Sequence, residues 1–219
     1  DVYKRQALND LERTHRDTAV LRSYLNKVTM TLTGETLSLR QREPKEQAKP
    51  YETNDFDALR HWVQSQTTAT KREQAFTVLA LGLGAGICDG METILAGDVT
   101  VRDGVVRVNV ERLRGAGYAP EIPVASAFGP GLAAVAESKD PGERLLPYGD
   151  INDLVKKELN RGRKFTVSLR RLRATWAVHV IRAVPREVAV AAIGTTHIGE
   201  FERLVRVNPC LLYTSPSPR

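Results

Sequence analysis

Apolar residues recur at helical spacing over much of this chain. Residues 7–32 carry a loose apolar stripe that includes Leu11, Leu21 and Leu25, and this spacing predicts a helix. Capping residues and prolines are typical of helix starts. They predict further helices that begin near Asn54, Thr70, Pro130, Asp150 or Asn152, Ser168, Pro185 and Ile198.

Three short segments between these helices carry the signals of β-strands. They cover residues 98–101, 105–110 and 119–124. Asp103-Gly104 predicts a tight hairpin between the first two strands, and residues 114–117 make a longer turn before the third. The predicted fold class is therefore α+β, mainly α, with a small three-stranded antiparallel sheet in a helical domain.

Composition divides the chain into five parts. Residues 1–6 and 210–219 differ from their neighbours and resemble translated adaptor sequence, so both ends are left out of the fold prediction. Residues 7–33 are the predicted helical fragment. Residues 34–52 are polar and carry several prolines, which is typical of a linker. Residues 53–209 form the main predicted domain.

A run of glycines at Gly82, Gly84 and Gly86 allows two interpretations. Glycines let a backbone approach a phosphate closely, and residues 76–81 as a strand would favour a dinucleotide-binding site. However, the third glycine of that fingerprint would fall at Ile87, and no long crossover helix follows. This interpretation requires a parallel sheet. The simpler interpretation is a helix end and tight turn where only small residues fit.

The composition narrows the classes of protein further. No apolar run reaches the roughly 18 residues of a membrane-spanning helix, and two cysteines cannot form a disulfide framework. We therefore expect a cytoplasmic protein without a membrane partner. The four histidines share no metal-ligand spacing with one another or with Cys88, so no metal or other cofactor is expected. The formal net charge of +6 favours acidic partners, of which nucleic acid is the commonest.

The densest positive charge lies between Arg161 and Arg173, a stretch without any acidic residue. Arg170 and Arg173 are three residues apart, so they share one face of the predicted helix. Guanidinium groups bind phosphate oxygens as a fork, which makes this pair a candidate phosphate site. The alternative is a solvated basic surface without a ligand, which is the usual role of a charge run.

Four ordered segments resemble the catalytic domain of tyrosine recombinases, the phage-integrase family. Residues 78–99, with the glycine run, resemble the first conserved box of that family, and residues 103–124 resemble its DNA-contacting β-hairpin. Residues 170–181 resemble the helix with the second arginine box. Residues 184–207 resemble the final helices, which carry a Gly-His pair and the nucleophilic tyrosine. The resemblance covers residues 54–207 and makes residues 7–33 the end of a DNA-clamping amino-terminal domain.

The resemblance implies a chemistry in which a tyrosine attacks a DNA phosphate and forms a 3′-phosphotyrosyl link. In the family, two arginines and histidines stabilise charge on the phosphoryl oxygens, and a lysine or histidine handles the leaving-group proton. The positions of this chain that match those residues are Cys88 (first arginine), Arg112 or Arg114 (hairpin lysine), Arg170 (box-two histidine), Arg173 (second arginine), Gly194-Thr195 with His197 two places later (Gly-His pair) and Leu204 (tyrosine).

Leu204 determines what the resemblance implies for function. Leucine has no nucleophilic atom, so we expect double-stranded DNA binding without strand cleavage, a binding protein rather than an enzyme. Arg170 and Arg173 would hold one phosphate. Surrounding DNA contacts are expected from Arg112, Arg114, Arg163, Lys164, Arg171 and His197. Such a protein would be nucleoid-associated and could oligomerise on DNA.

Two other interpretations stay open. One is an active site-specific recombinase in which another residue replaces the tyrosine. The other is an interaction module with no nucleic-acid role. In that module, Arg170 and Arg173 would be paired with internal carboxylates such as Glu92, Asp98 or Glu187.

Overall fold

A computed structural model describes residues 48–113, 119–194 and 198–207. The chain divides after residue 46, and all described residues belong to the unit Gln47–Arg219. The predicted helix at 7–32, most of the linker, both adaptor-like ends, Arg114 and His197 lie outside the described residues.

The part of the chain that the structure describes contains seven α-helices and one small sheet, which confirms an α+β fold that is mainly helical. The helices are α1 (Asp55–Gln64), α2 (Ala69–Leu79), α3 (Gly129–Glu137), α4 (Ile151–Asp153), α5 (Leu169–Ala183), α6 (Arg186–Ile193) and α7 (Gly199–Val207). Two of them continue as wider π-helical turns, α2 into Ala80–Gly84 and α4 into Leu154–Leu159.

The three strands lie where the sequence predicts them. They are β1 (Val99–Arg102), β2 (Val105–Asn109) and β3 (Glu121–Pro123), paired antiparallel in the order β1-β2-β3. Asp103 and Gly104 both have positive φ angles, 52° and 73°, as a tight hairpin turn that matches the strand twist requires. Because this sheet is antiparallel and residues 76–81 are helical, the dinucleotide-binding interpretation is wrong for the described residues.

One face of the sheet forms part of the hydrophobic core. Val106 and Val108 on β2 and Ile122 on β3 are buried on this face, and α3 packs against it. Helix α5 is the central helix of the remaining core, since it contacts α6, α7 and the π-helical turn after α2. Burial on both sides explains why α5 carries buried residues around most of its circumference, from Leu172 to Val178.

Several helix starts differ in detail from the sequence prediction. The side chain that caps α2 belongs to Thr68, which accepts a hydrogen bond from the Lys71 N–H, and not to Thr70. Asn54 stands at the start of α1 without a side-chain capping bond. Asp150, one of the two predicted caps of α4, does accept the Asn152 N–H at 2.7 Å. Among the described residues, no helix is long and apolar enough to cross a membrane.

Candidate nucleic-acid interface

Helix α5 carries the two arginines that the sequence singles out as a phosphate site. Its apolar residues Leu169 and Leu172 are buried. The arginines next to them therefore lie on the sides of the helix that face away from the core. Arg170 is exposed in the first turn. Arg173, one turn later, is half-buried, and its Nη2 donates to the Ile193 carbonyl at 3.1 Å. This bond fixes Arg173 against the last turn of α6 and leaves Arg170 free of such an anchor.

Cys88 stands beside the first turn of α5, close to Arg173. Its Sγ donates to the Leu169 carbonyl at 2.9 Å, and the Arg173 charge acts on the thiol. Burial nevertheless raises the pKa of Cys88 to about 12, because a thiolate loses its hydration there; the Arg173 charge only partly opposes this. The thiol therefore stays protonated at neutral pH and is a poor nucleophile. The positions that the resemblance assigns to the two arginines are thus neighbours in space.

The glycine run sets the distance between Cys88 and α5. A Cβ on Gly86 would lie 2.1 Å from a ring carbon of Trp176, and one on Gly82 would lie 2.8 Å from Leu172. Gly86 also has a φ angle of 67°, which side chains rarely adopt. The glycines therefore let the backbone before Cys88 press against α5. They serve packing, as the simpler interpretation of the run expects.

The connection between β2 and β3 ends at the same part of the molecule. Ala119, just before β3, donates its N–H to the Ala191 carbonyl of α6 at 3.2 Å, two residues before Ile193. At the other end of the connection, Leu113 packs on Gly90, close to Cys88 in sequence. Leu113 thus lies near Gly90, and Ala119 is bonded to the last turn of α6.

Arg112 lies at the start of this connection, in the 3₁₀ turn Glu111–Leu113. It forms an ion pair with Asp98, whose carboxylate also accepts the Leu95 N–H. The Arg112 side chain is still 58% exposed, against 14% for Asp98. The ion pair orients the Arg112 guanidinium, which still has exposed N–H donors for a hydrogen bond to a phosphate.

The structure does not leave all the predicted arginines open. Arg171 donates to the Lys49 carbonyl at 3.0 Å and to Asp55 at 2.9 Å. Its guanidinium also lies 3.9 Å from the ring centre of Tyr51. Arg163 donates to the Ser65 carbonyl at 2.7 Å. These two arginines fasten other segments together, and their role as DNA contacts loses support.

Lys164 remains exposed, and within the described ranges its side chain has no hydrogen bond or ion pair. Arg170 is in the same situation among those residues. Neither side chain is used to hold the fold. Both therefore remain candidates for contact with an external anion.

Leu204 occupies a half-buried position on α7. It packs against the hydrophobic core, as does its neighbour Phe201, and α7 as a whole lies on α5. An ion pair of 3.0 Å between Arg186 and Glu202 joins α7 to α6. The position that matches the family's nucleophile therefore holds an aliphatic packing residue, with no oxygen or sulfur to attack a phosphate.

Sequence reasoning missed Tyr51. It is completely buried although it falls within the predicted linker. Its Oη accepts a hydrogen bond of 2.9 Å from the N–H of Ser168, a donor at the start of α5 that has no partner within the helix. The backbone N–H of Tyr51 donates to Thr175 Oγ1 at 2.8 Å. Burial raises the pKa of Tyr51. The only sequence signal for it was an aromatic residue directly after Pro50 in a polar segment.

The interaction-module interpretation predicts carboxylate partners for the α5 arginines. Within the residues that the structure describes, no carboxylate forms an ion pair with Arg170 or Arg173, and Asp98 is bound by Arg112 instead. The same residues contain no group of three or more His, Cys, Asp or Glu side chains that could hold a metal ion.

Comparison with known proteins adds no family assignment. No protein-family model matches this chain, and no curated protein matches it. The class that the structure itself defines is an α+β domain in which Ala119, just before β3, and Arg173 of α5 both bond to the last turn of α6.

Proposed function

We propose that this chain is a tyrosine-recombinase-like domain that binds double-stranded DNA and does not cleave it. One observation carries the proposal. Cys88, Arg173 and the end of α6 lie together, and Ala119, just before β3, bonds to Ala191 in the last turn of α6. These are the positions that the resemblance assigns to a phosphate site, although they are far apart in the sequence.

The charge at this place favours an anion. Arg170 is exposed and has no partner among the described residues, Arg173 lies one turn away, and Cys88 brings no negative charge because its thiol is protonated. Arg112 and Lys164 are further exposed cations of the described chain and are proposed as surrounding contacts. Arg163 and Arg171 are not included in the proposed contacts, because the fold already uses them. Phosphate contacts of this kind give salt-dependent binding with little sequence preference.

The lack of cleavage follows from the side chains near the site. Leu204 offers no nucleophilic atom, and the raised pKa of Cys88 makes its thiol a poor substitute. Neither of these two residues favours the active-recombinase alternative. The chain would hold the DNA backbone without forming a covalent link.

The test compares two double variants with the same loss of charge. Binding of a fluorescent random-sequence duplex is measured by anisotropy over a range of salt concentrations. We expect R170A/R173A to flatten the slope of log K against log salt by about 2, because about one counterion is released per phosphate contact. R60A/K157A removes two exposed cations from other elements and should leave the slope unchanged.

Two results would overturn the proposal. Equal slopes for the parent chain and R170A/R173A would remove the phosphate site. A covalent protein–DNA adduct on a nicked suicide substrate, seen on a denaturing gel, would show that another residue attacks and would favour the active recombinase.

A further inference from the structure

A second surface of the molecule lies at the edge of the sheet. Beside β1 is an open groove of about 320 Å³. Val99 and Val101 of β1 form one wall, and Ala133 and Ala136 of α3 form the other. Val101 is 55% exposed, the most exposed of the large apolar side chains that the structure describes. The groove is thus an apolar surface without a partner among the described residues.

The backbone of β1 at this groove has open hydrogen-bonding groups. Asp103-Gly104 makes a two-residue hairpin, so its closing pair, Arg102 and Val105, exchanges hydrogen bonds across the hairpin. Because the pattern alternates, the N–H and C=O of Val101 point away from β2. Within the described residues neither group has a partner. The groove therefore has both the apolar wall and the backbone groups that an added strand uses.

The chain itself already pairs with the residues that come just before β1. Ala96 donates to the Glu143 carbonyl at 2.8 Å, and Gly97 donates to the Pro141 carbonyl at 2.9 Å. The partner segment, residues 141–145, runs antiparallel to residues 94–97. The pairing ends at Pro141, which also lines the groove. An added strand along β1 would continue a pairing that the fold already makes.

The charges around the groove select the chemistry of that strand. Glu137 lines the groove and has no ion pair in the described part of the chain. Lys139 lines it too, but its ammonium is bound by Glu73 at 3.1 Å and by Glu143 at 3.7 Å. Two carboxylates thus neutralise the Lys139 ammonium, and Glu137 remains in the groove as a carboxylate without an ion-pair partner among the described residues. A second copy of this chain would bring the same carboxylates to the interface, where like charges repel.

We propose that the groove between β1 and α3 binds an extended, basic segment of another protein by strand addition to β1. Apolar side chains of that segment would fill the groove beside Val101, and a lysine or arginine would reach Glu137. The site is independent of the DNA contacts proposed for α5.

The experiment uses the full chain and two labelled synthetic peptides, one alternating valine and lysine and one alternating valine and glutamate. Binding is followed by fluorescence anisotropy. We expect saturable binding of the lysine peptide only. V101K should weaken it at least about tenfold, because it places a cation in the groove and removes apolar contact. E137K should weaken the lysine peptide and strengthen the glutamate peptide.

The matched control is V105K. Val105 is also exposed and lies on the same hairpin, but it does not line the groove, so this variant should bind the lysine peptide like the parent chain. Equal weakening by V105K and V101K would overturn the proposal. So would equal binding of both peptides, or a dimer in sedimentation that V101K abolishes, since the second copy would then be the occupant.

Discussion

The arginines of the basic segment fall into two sets that the structure uses in opposite ways. Arg163 and Arg171 are bound to backbone carbonyls and to Asp55, and they hold the segment from residue 49 to residue 66 against the rest of the domain. Arg170 is exposed, and within the described ranges the Arg173 side chain bonds only to the end of α6. Arg170 and Arg171 are consecutive in the chain but belong to different sets. Positive charge in a sequence therefore does not by itself predict an anion site, because adjacent arginines on a helix face different surroundings.

The largest effect that we predict concerns the packing that places Cys88 beside Arg173. Gly86→Ala should cost about 3 kcal/mol, since it combines a left-handed backbone with a clash against Trp176. Gly104→Ala is the matched control, because Gly104 has a similar φ of 73° and open space around it; it should cost about 1 kcal/mol. Denaturant unfolding measures both. Equal losses would mean that the contact with Trp176 does not limit this position.

The next prediction concerns the anchoring set, Arg163 and Arg171. Arg171→Ala should lower the free energy of unfolding by about 2 kcal/mol, because a charged hydrogen bond to Asp55 and the contact with the Tyr51 ring are lost. Its DNA affinity, measured under conditions where the variant is folded, should stay near that of the parent chain. A large loss of DNA affinity without a loss of stability would put Arg171 into the open set.

The open set, Arg170 and Arg173, should show the reverse. Arg170→Ala should leave the denaturant midpoint unchanged and reduce the salt slope of DNA binding by about 1. Arg173→Ala should also reduce the salt slope by about 1. In addition it should lower the free energy of unfolding by about 1 kcal/mol, because it removes the bond to the Ile193 carbonyl. A variant of Arg170 that unfolds more easily than the parent would contradict the division into two sets.

The smallest effect is a pH dependence from the second half of α5. Burial lowers the pKa of His179 below its usual 6.5, and the charge of Arg182 lowers it further. Protonation therefore favours the unfolded chain, and stability should fall as the pH drops below about 6.5. His179→Gln should reduce this fall. The check is the denaturant midpoint of both proteins at neutral and at mildly acidic pH, where an unchanged pH dependence would contradict the prediction.

The sequence predicted those parts of the fold that have local causes. The Asp103-Gly104 hairpin follows from residues that tolerate positive φ, and α6 ends at Gly194, whose φ of 72° suits a helix end. Tertiary packing decided the rest. The helical stretch continues past Gly82 as a π-helical turn and ends at Gly84. A Cβ on Gly82 would lie against Leu172 of α5, and one on Gly84 would lie against Val124 and Phe128.

The candidate site was predictable only in part, for the same reason. The spacing of Arg170 and Arg173 placed both on one helix, as the structure confirms. Arg163 and Arg171 form internal bonds with Ser65, Lys49 and Asp55. These partners are about a hundred or more residues away in the chain. No local pattern could report such a contact.

The bond between Tyr51 and Ser168 decides where a working fragment of this protein has to begin. A polypeptide starting at residue 53 would have no acceptor for the Ser168 N–H, a void in place of the tyrosine ring and an Arg171 without its stacking partner. One that starts at residue 48 would retain all three contacts. Cloning boundaries chosen for DNA-binding work should therefore lie upstream of Pro50, so that the start of α5 remains fastened to the segment that precedes the first helix.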